Sequence, residues 1–302
     1  MAGFYEKLCA LIGEKQVSTK EPMKNHTTFR VGGPAEFFVT PADERQLSDT
    51  LKLCTEAEMP YYVIGNGSNL LVSDEGYDGV IIAMGEPWNY SRTEGDHITA
   101  GAGILLSRLS KEALKEGLTG LEFAGGIPGT LGGAVVMNAG AYGSEMKEVL
   151  VSARVMTTDG QVLCLTNEEL KLGYRTSCIP ENRYIVLEAA VGLKPGDPGE
   201  IRAKMEELSE RRKSKQPLEY PSAGSTFKRP EGYYAGKLIE DTGLRGFSVG
   251  GAQISEKHCG FVINKDHATA SDVYGLCREV QRRVKEKFGV DMSMEVKTLG
   301  HF

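Results

Sequence analysis

Residues 125–143 run Gly-Gly-Ile-Pro-Gly-Thr-Leu-Gly-Gly-Ala-Val-Val-Met-Asn-Ala-Gly-Ala-Tyr-Gly, seven glycines in nineteen positions with no charged side chain. Glycine loses more backbone freedom on folding than any other residue, so such a run persists only where the missing Cβ does something. Two uses compete. Close approach of backbone to a ligand lets successive N–H groups converge on an anion, and a helix starting near Leu131 would add its positive end, holding a phosphate without any lysine. The other use is a tight loop packed under a sheet. A membrane span is excluded, because the glycines, Pro128 and Asn138 interrupt the continuous apolar run that spanning needs.

The chain has 302 residues, 40% of them apolar, enough for two or three domains with sizeable cores. A net charge of −6 gives no field to draw in nucleic acid or an anionic membrane, which favours a small-molecule ligand held by local dipoles and a few placed cations. The apolar stretch Leu8–Ile12 meets Glu14 and Lys15 at once and is too short for a signal peptide, so a cytoplasmic location is expected. Six scattered cysteines without a C-x-x-C pair read as reduced structural thiols, and five histidines without H-x-x-x-H spacing make a metal site unexpected.

Periodicity predicts an N-terminal amphipathic helix, a strand over 36–40, and a helix opening at Thr40-Pro41 and running to about Glu58. The strand Tyr61–Ile64 completes a β-α-β unit. At its carboxyl end lies Gly65-Asn66-Gly67-Ser68-Asn69, followed by a strand-like Leu70–Val72. A loop of glycine, asparagine and serine at a strand's end is where α/β folds place ligands. Leu70 stands where G-x-G-x-x-G needs its third glycine, so a Rossmann nicotinamide fingerprint is not supported, and a plain hairpin loop is the alternative. Farther on, strands over 79–83 and 97–100, a helix over 105–116 closed by Gly117, and a hairpin about Thr157-Thr158-Asp159-Gly160 make the middle region mostly antiparallel sheet. Lys194–Gly199 reads as a boundary, followed by a charged helix over 200–215 and a turn-rich stretch to Gly236. A helix over 271–288 stopped by Gly289 and an alternating strand over 292–297 finish the chain.

Three turn-rich stretches carry reactive groups. Gly173-Tyr174-Arg175-Thr176-Ser177 sets a guanidinium that would clamp a carboxylate bidentately or form a surface ion pair. Pro221–Pro230 puts Ser225 on a glycine turn beside Lys228 and Arg229; it is not G-x-S-x-G, and without a nearby histidine the hydroxyl is a poor nucleophile, yet it can still deliver a proton to a strongly basic carbanion. A turn hydroxyl bonding its own backbone is the alternative. Glu295 shares strand parity with Ser293 and Lys297, usually the wet side of a sheet.

In order, residues 25–35, 64–72, 125–143, 173–177, 221–230 and 293–300 closely resemble the UDP-N-acetylenolpyruvoylglucosamine reductase (MurB) family, over nearly the whole chain. The resemblance implies an α+β fold: an N-terminal FAD-binding region of the vanillyl-alcohol-oxidase (PCMH) type in two lobes, 21–85 and 86–197, after a helix and linker at 1–20, with an α+β substrate domain at 198–302. It implies a cytoplasmic flavoenzyme of peptidoglycan precursor synthesis, in which NADPH reduces FAD and the reduced flavin passes hydride to the vinyl carbon of UDP-N-acetylglucosamine enolpyruvate, giving UDP-N-acetylmuramate. The family's acid serine falls on Ser225, its G-Y-R arginine on Arg175 and its C-terminal glutamate on Glu295. The implied cofactor-binding residues are Gly65, Asn66, Gly67, Ser68, Asn69, Leu70, Gly126, Ile127, Pro128, Gly129, Gly132, Gly133, Asn138, Ala139, Gly140 and Gly143. Tyr142, Tyr174, Lys215, Lys228 and Arg229 are implied for substrate. The short segment between Tyr174 and Leu193 leaves no room for the substrate-covering loop of one branch, which suggests the compact branch; Arg229 stands where some members carry asparagine. A sugar or alcohol oxidase of the same flavin superfamily, with His26 as a tether, is the competing enzyme, and a non-catalytic nucleotide-binding module the competing class.

Overall fold

The computed structural model describes residues 2–302. Helix α1 (Ala2–Ile12) leads into strands β1 (Val17–Pro22) and β2 (Pro34–Val39), helix α2 (Glu44–Glu56), and strands β3 (Tyr61–Ile64), β4 (Leu70–Val72), β5 (Tyr77–Ala83), β6 (Ser91–Glu94) and β7 (His97–Gly101). Next come α3 (Leu106–Lys115), β8 (Leu118–Thr119), α4 (Leu131–Met137), β9 (Gly140–Ala141), β10 (Ser144–Glu145), β11 (Leu150–Met156) and β12 (Val162–Thr166). The single turn α5 (Ile179–Asn182), β13 (Ile185–Gly192), β14 (Lys194–Pro195) and α6 (Pro198–Lys215) follow. The remainder holds α7 (Ala235–Asp241), β15 (Ser248–Val249), β16 (Ala252–Ile254), β17 (Val262–Asn264), α8 (Ala270–Phe288) and β18 (Lys297–Leu299). No described helix is long and apolar enough to cross a membrane.

Contacts group the chain into two compact units, one of residues up to Thr19 with 37–66 and 79–211, the other of 20–36, 67–78 and 212–302. These are not the linear segments 21–85, 86–197 and 198–302 of the sequence reading. The regrouping follows from long-range pairing that no local pattern announces: β4 runs parallel to β18, Leu70 opposite Lys297. Asp74 caps α8, its carboxylate accepting the N–H groups of Ala270 and Ser271 at 2.7 and 2.8 Å.

The first unit is built on an antiparallel sheet ordered β12-β11-β13-β7-β6. Ile98, Ala100, Val155, Leu187 and Val191 of this sheet are buried in one core with Leu106, Leu109, Leu131 and Val135 of α3 and α4. The β11–β12 hairpin closes where Asp159-Gly160 predicts, with Gly160 at φ +87°. Helix α2 starts later than Thr40-Pro41, because Asp43 is its cap and accepts the Gln46 N–H at 2.8 Å. Burial pushes the Cys54 thiol up to about 12, a neutral core group.

In the second unit α8 is fixed at both ends. Thr269 and Asp272 form a capping box and Gly289 takes the left-handed stop, φ +69°. Its apolar face, Val273, Leu276, Cys277, Val280 and Val284, is buried with Leu238, Ile254, Val262, Phe29 and Leu71. The alternating strand expected over 292–297 does not form: the strand is Lys297–Leu299, and the preceding residues pair only through an isolated bridge of Phe227 with Met294.

Candidate active site

In the first unit, the glycine-rich run begins as a 3-10 turn (Glu122–Gly126) and turns into α4 behind the cap Thr130. The positive end of α4 is not free, contrary to the expectation from sequence. Leu131 N–H donates to Ile104 O and Gly132 N–H to Ala102 O, both at 2.9 Å, while Gly133 N–H reaches Thr130 Oγ1 at 3.4 Å. Every amide of the first turn therefore has a protein acceptor, and close packing explains much of the glycine. A Cβ on Gly132 would lie 2.9 Å from Ala102 Cβ, one on Gly140 2.6 Å from Ser144 O, and one on Gly65 2.2 Å from Thr130 Oγ1. Gly133 and Gly143 are different: a Cβ on Gly133 has nothing nearer than 3.7 Å, and one on Gly143 nothing within 4 Å.

The same run is joined to both other first-unit motifs. Asn66 Nδ2 donates to Pro128 O at 2.6 Å, tying the end of the 65–69 loop to Ile127-Pro128-Gly129. Asn138 is fully buried in the left-handed conformation (φ 45°, ψ 60°). Its Nδ2 donates to Gly173 O at 3.0 Å and its Oδ1 accepts Lys147 N–H at 2.9 Å, so this amide, expected to meet cofactor, anchors the turn that bears Arg175. In that turn Gly173 and Thr176 exchange both backbone hydrogen bonds, at 3.1 and 3.2 Å, leaving Tyr174 and Arg175 at the tip. Arg175 is held at φ +54°, its Nη2 donates to Gly140 O at 3.2 Å, and its guanidinium lies 5.4 Å from the Tyr174 ring centroid. Tyr142 has φ +57° with Arg211 over its ring at 5.2 Å. Left-handed backbone at Tyr142 and Arg175 costs about 1–3 kcal/mol each, whereas at Asn138 it is the helix C-cap, where asparagine is tolerated.

The second unit brings together motifs spread over 226 positions. Gly224, at φ +73° with open space around it, turns the chain so that Ser225 is exposed while Thr226 is fully buried. Thr226 N–H donates to Gly260 O at 2.9 Å, its Oγ1 accepts Val262 N–H at 3.0 Å, and its carbonyl accepts Glu295 N–H at 2.8 Å. Asn69 Nδ2 donates to Glu295 O at 3.2 Å, and Lys297 N–H to Asn69 O at 3.0 Å. Asn69, Ser225 and Glu295 thus sit on three adjoining segments. Glu295 is buried and Ser293 exposed, so the strand-parity expectation of a wet-side glutamate is overturned; without a regular strand, alternation has no hold. Arg229 is engaged by Tyr233 O (3.2 Å) and lies 3.9 Å over the Tyr234 ring. Lys215 is exposed at the end of α6 and Lys228 is half-buried. The His26 ring lies 2.9 Å from Glu21 Oε1.

The N–H groups of Gly65 and Asn66 meet no acceptor within the first unit, nor do those of Gly67, Ser68 and Asn69 within the second. Two buried side-chain atoms also lack a partner, Thr28 Oγ1 and Gln216 Oε1. Sequence reasoning missed Thr130 as the group against which Gly65 packs, although a threonine before Leu-Gly-Gly is a legible N-cap signal.

The comparisons with known proteins agree with this arrangement. Residues 35–166 match the family model described as FAD binding domain, and residues 216–299 match the model described as UDP-N-acetylenolpyruvoylglucosamine reductase, C-terminal domain. A 4-ethylphenol oxidase from Gulosibacter chungangensis shares the fold at 14% identity, TM-score 0.50, over 64% of this chain and 42% of that one. The fold and site define an FAD-binding oxidoreductase. At 54% identity, over 98% of this chain and 97% of the relative, the chain is similar to UDP-N-acetylenolpyruvoylglucosamine reductase of Clostridium perfringens. The Geobacillus thermodenitrificans enzyme of the same name is 52% identical over the same shares. The crystal structure of that reductase (MurB) from Thermus caldophilus superposes with TM-score 0.80 at 38% identity, covering 94% of this chain and 98% of that one. The chain belongs to the UDP-N-acetylenolpyruvoylglucosamine reductase family. The 65–69 backbone donors that meet no acceptor within their own unit fit FAD, since a diphosphate accepts hydrogen bonds and donates none.

Proposed function

We propose that this protein reduces UDP-N-acetylglucosamine enolpyruvate to UDP-N-acetylmuramate with NADPH, in the cytoplasm, as a step of peptidoglycan precursor synthesis. FAD, when bound, supplies the two-electron relay from NADPH to the vinyl carbon of the substrate. The observation that carries the reading is in the second unit: an exposed Ser225 hydroxyl on an open glycine turn, one residue from the Thr226 carbonyl that accepts the N–H of buried Glu295 at 2.8 Å.

Addition to the vinyl carbon leaves negative charge on the α-carbon, delocalised into the carboxylate as an enolate. A fixed cation lowers that barrier because the charge it meets is larger in the transition state than in the ground state. Arg175 serves as that cation, its turn held by Asn138 and its head by Gly140 O. Glu295 shares a proton with the substrate carboxylate. Ser225 Oγ then gives its proton to the α-carbon, completing the reduction. Tyr142, Tyr174, Lys215, Lys228 and Arg229 bind the rest of the substrate, and residues 65–70 with 126–129, 132–133, 138–140 and 143 form the cofactor side, 132–133 by shape alone because their amides are committed within the protein. Along the chain we assign the FAD-binding lobes to 21–85 and 86–197, after the N-terminal segment 1–20, and the substrate domain to 198–302, with residues 20–36 and 67–78 grouped by contacts with 212–302. The chain passes from Thr176 to β13 through one helical turn, Ile179–Asn182, which supports the compact branch.

Separated half-reactions test this. Ser225→Ala should leave NADPH-to-FAD reduction within about twofold and slow transfer to the enolpyruvyl substrate by on the order of 10²–10⁴-fold. Equal slowing of both halves, or of neither, would overturn the assignment.

A further inference from the structure

Residues 27 and 28 are adjacent threonines with opposite fates. Thr27 Oγ1 donates to Val31 O at 2.9 Å inside the turn that Arg30 closes at φ +56°. Thr28 Oγ1 is buried and has no hydrogen-bond partner. A buried hydroxyl without a partner costs about 1–3 kcal/mol, and a threonine kept at that cost needs a reason that the protein alone does not supply.

What lies beside it supplies one. Thr28 N–H donates to Gly67 O at 3.3 Å. The 26–28 segment presses so closely on Gly67 that a Cβ there would stand 1.9 Å from His26 O and 3.1 Å from Thr27 Cα. Thr28 is thus tied by its own backbone to the turn that carries the N–H groups of Gly67, Ser68 and Asn69, none of which has an acceptor within this unit. Asn69 Nδ2 donates to Glu295 O at 3.2 Å, which fixes the far end of the turn. Three amides and a hydroxyl make a donor set, and its complement is an oxygen with several lone pairs and negative charge.

We propose that the Thr28 hydroxyl is a cofactor-binding group, donating to a diphosphate oxygen of FAD alongside the amides of residues 67–69. This rests on the flavin-dependent reading above. Both FAD and a UDP-sugar carry a diphosphate, and the assignment is to the cofactor, because the 65–69 loop lies within residues 35–166, which match the FAD binding domain model.

Thr28→Val keeps the branched shape and removes the hydroxyl; Thr28→Ser keeps the hydroxyl. Flavin released on serial dilution of the loaded full-length protein, read by its fluorescence, gives the dissociation constant. Thr28→Val should bind FAD about 10- to 100-fold more weakly, and Thr28→Ser within about threefold of the parent. The thermal midpoint of the flavin-free full chain should not fall in Thr28→Val, since no internal hydrogen bond is lost. Unchanged FAD affinity in Thr28→Val, equal weakening in both variants, or a lowered midpoint that accounts for the loss would overturn the proposal. Titration of UDP-N-acetylglucosamine into the loaded protein, followed by flavin absorbance, should be the same in Thr28→Val and the parent; selective loss there with intact FAD binding would move the hydroxyl to the substrate and also overturn it. A parent chain that takes up no FAD would instead bring down the flavin-dependent reading itself.

Discussion

The 131–133 turn and the 65–69 loop are both glycine-rich and differ in hydrogen bonding. In the first, the amides of Leu131, Gly132 and Gly133 all find acceptors within the protein. In the second, five consecutive amides find none within their own unit. Gly132 and Gly67 are both glycines because a Cβ would strike neighbouring protein atoms, at 2.9 and 1.9 Å. Absence of a side chain therefore does not distinguish a packed turn from a ligand cradle; what distinguishes them is where the N–H groups go.

Substitutions can break this contrast, and the largest effect falls on the residue that joins the packed run to the arginine turn. Asn138→Ala removes partners from Gly173 O and Lys147 N–H and leaves alanine in left-handed backbone. It should cost about 2–4 kcal/mol in denaturant unfolding, and weaken substrate binding by loosening the Arg175 turn. A cost below about 1 kcal/mol would mean that the amide is not the anchor described here.

A smaller and sharper test compares two neighbours in one helix. Gly132→Ala pushes a methyl against Ala102 and should destabilise the flavin-free protein by about 1–2 kcal/mol despite its better helix propensity. Gly133→Ala meets open space and should raise stability by about 0.5–1 kcal/mol. Equal effects in thermal melts would erase the distinction between packing and non-packing glycines.

Much of this architecture is legible in the sequence where local chemistry decides. Helix α8 carries a capping box, a periodic apolar face and a terminal glycine, and the β11–β12 hairpin carries Asp159-Gly160, so propensity and tertiary structure agree. Legibility fails where partners are remote. Pairing of β4 with β18 regroups residues 67–78 with the C-terminal part of the chain, and no periodicity within either strand foretells it. Glu295 is misplaced by alternation because its neighbours answer to Thr226 and Asn69 rather than to a sheet. The motif at 125–143 is visible as exceptional, but its purpose depends on the acceptors Ile104 O and Ala102 O, which the sequence does not mark.

Amide hydrogen exchange on the full-length protein with and without FAD tests the central claim most directly. The account predicts that residues 65–69 exchange rapidly without flavin and become protected when it binds, whereas the amides of residues 131–133 are protected in both states. Protection gained at 131–133 with 65–69 unchanged would contradict it.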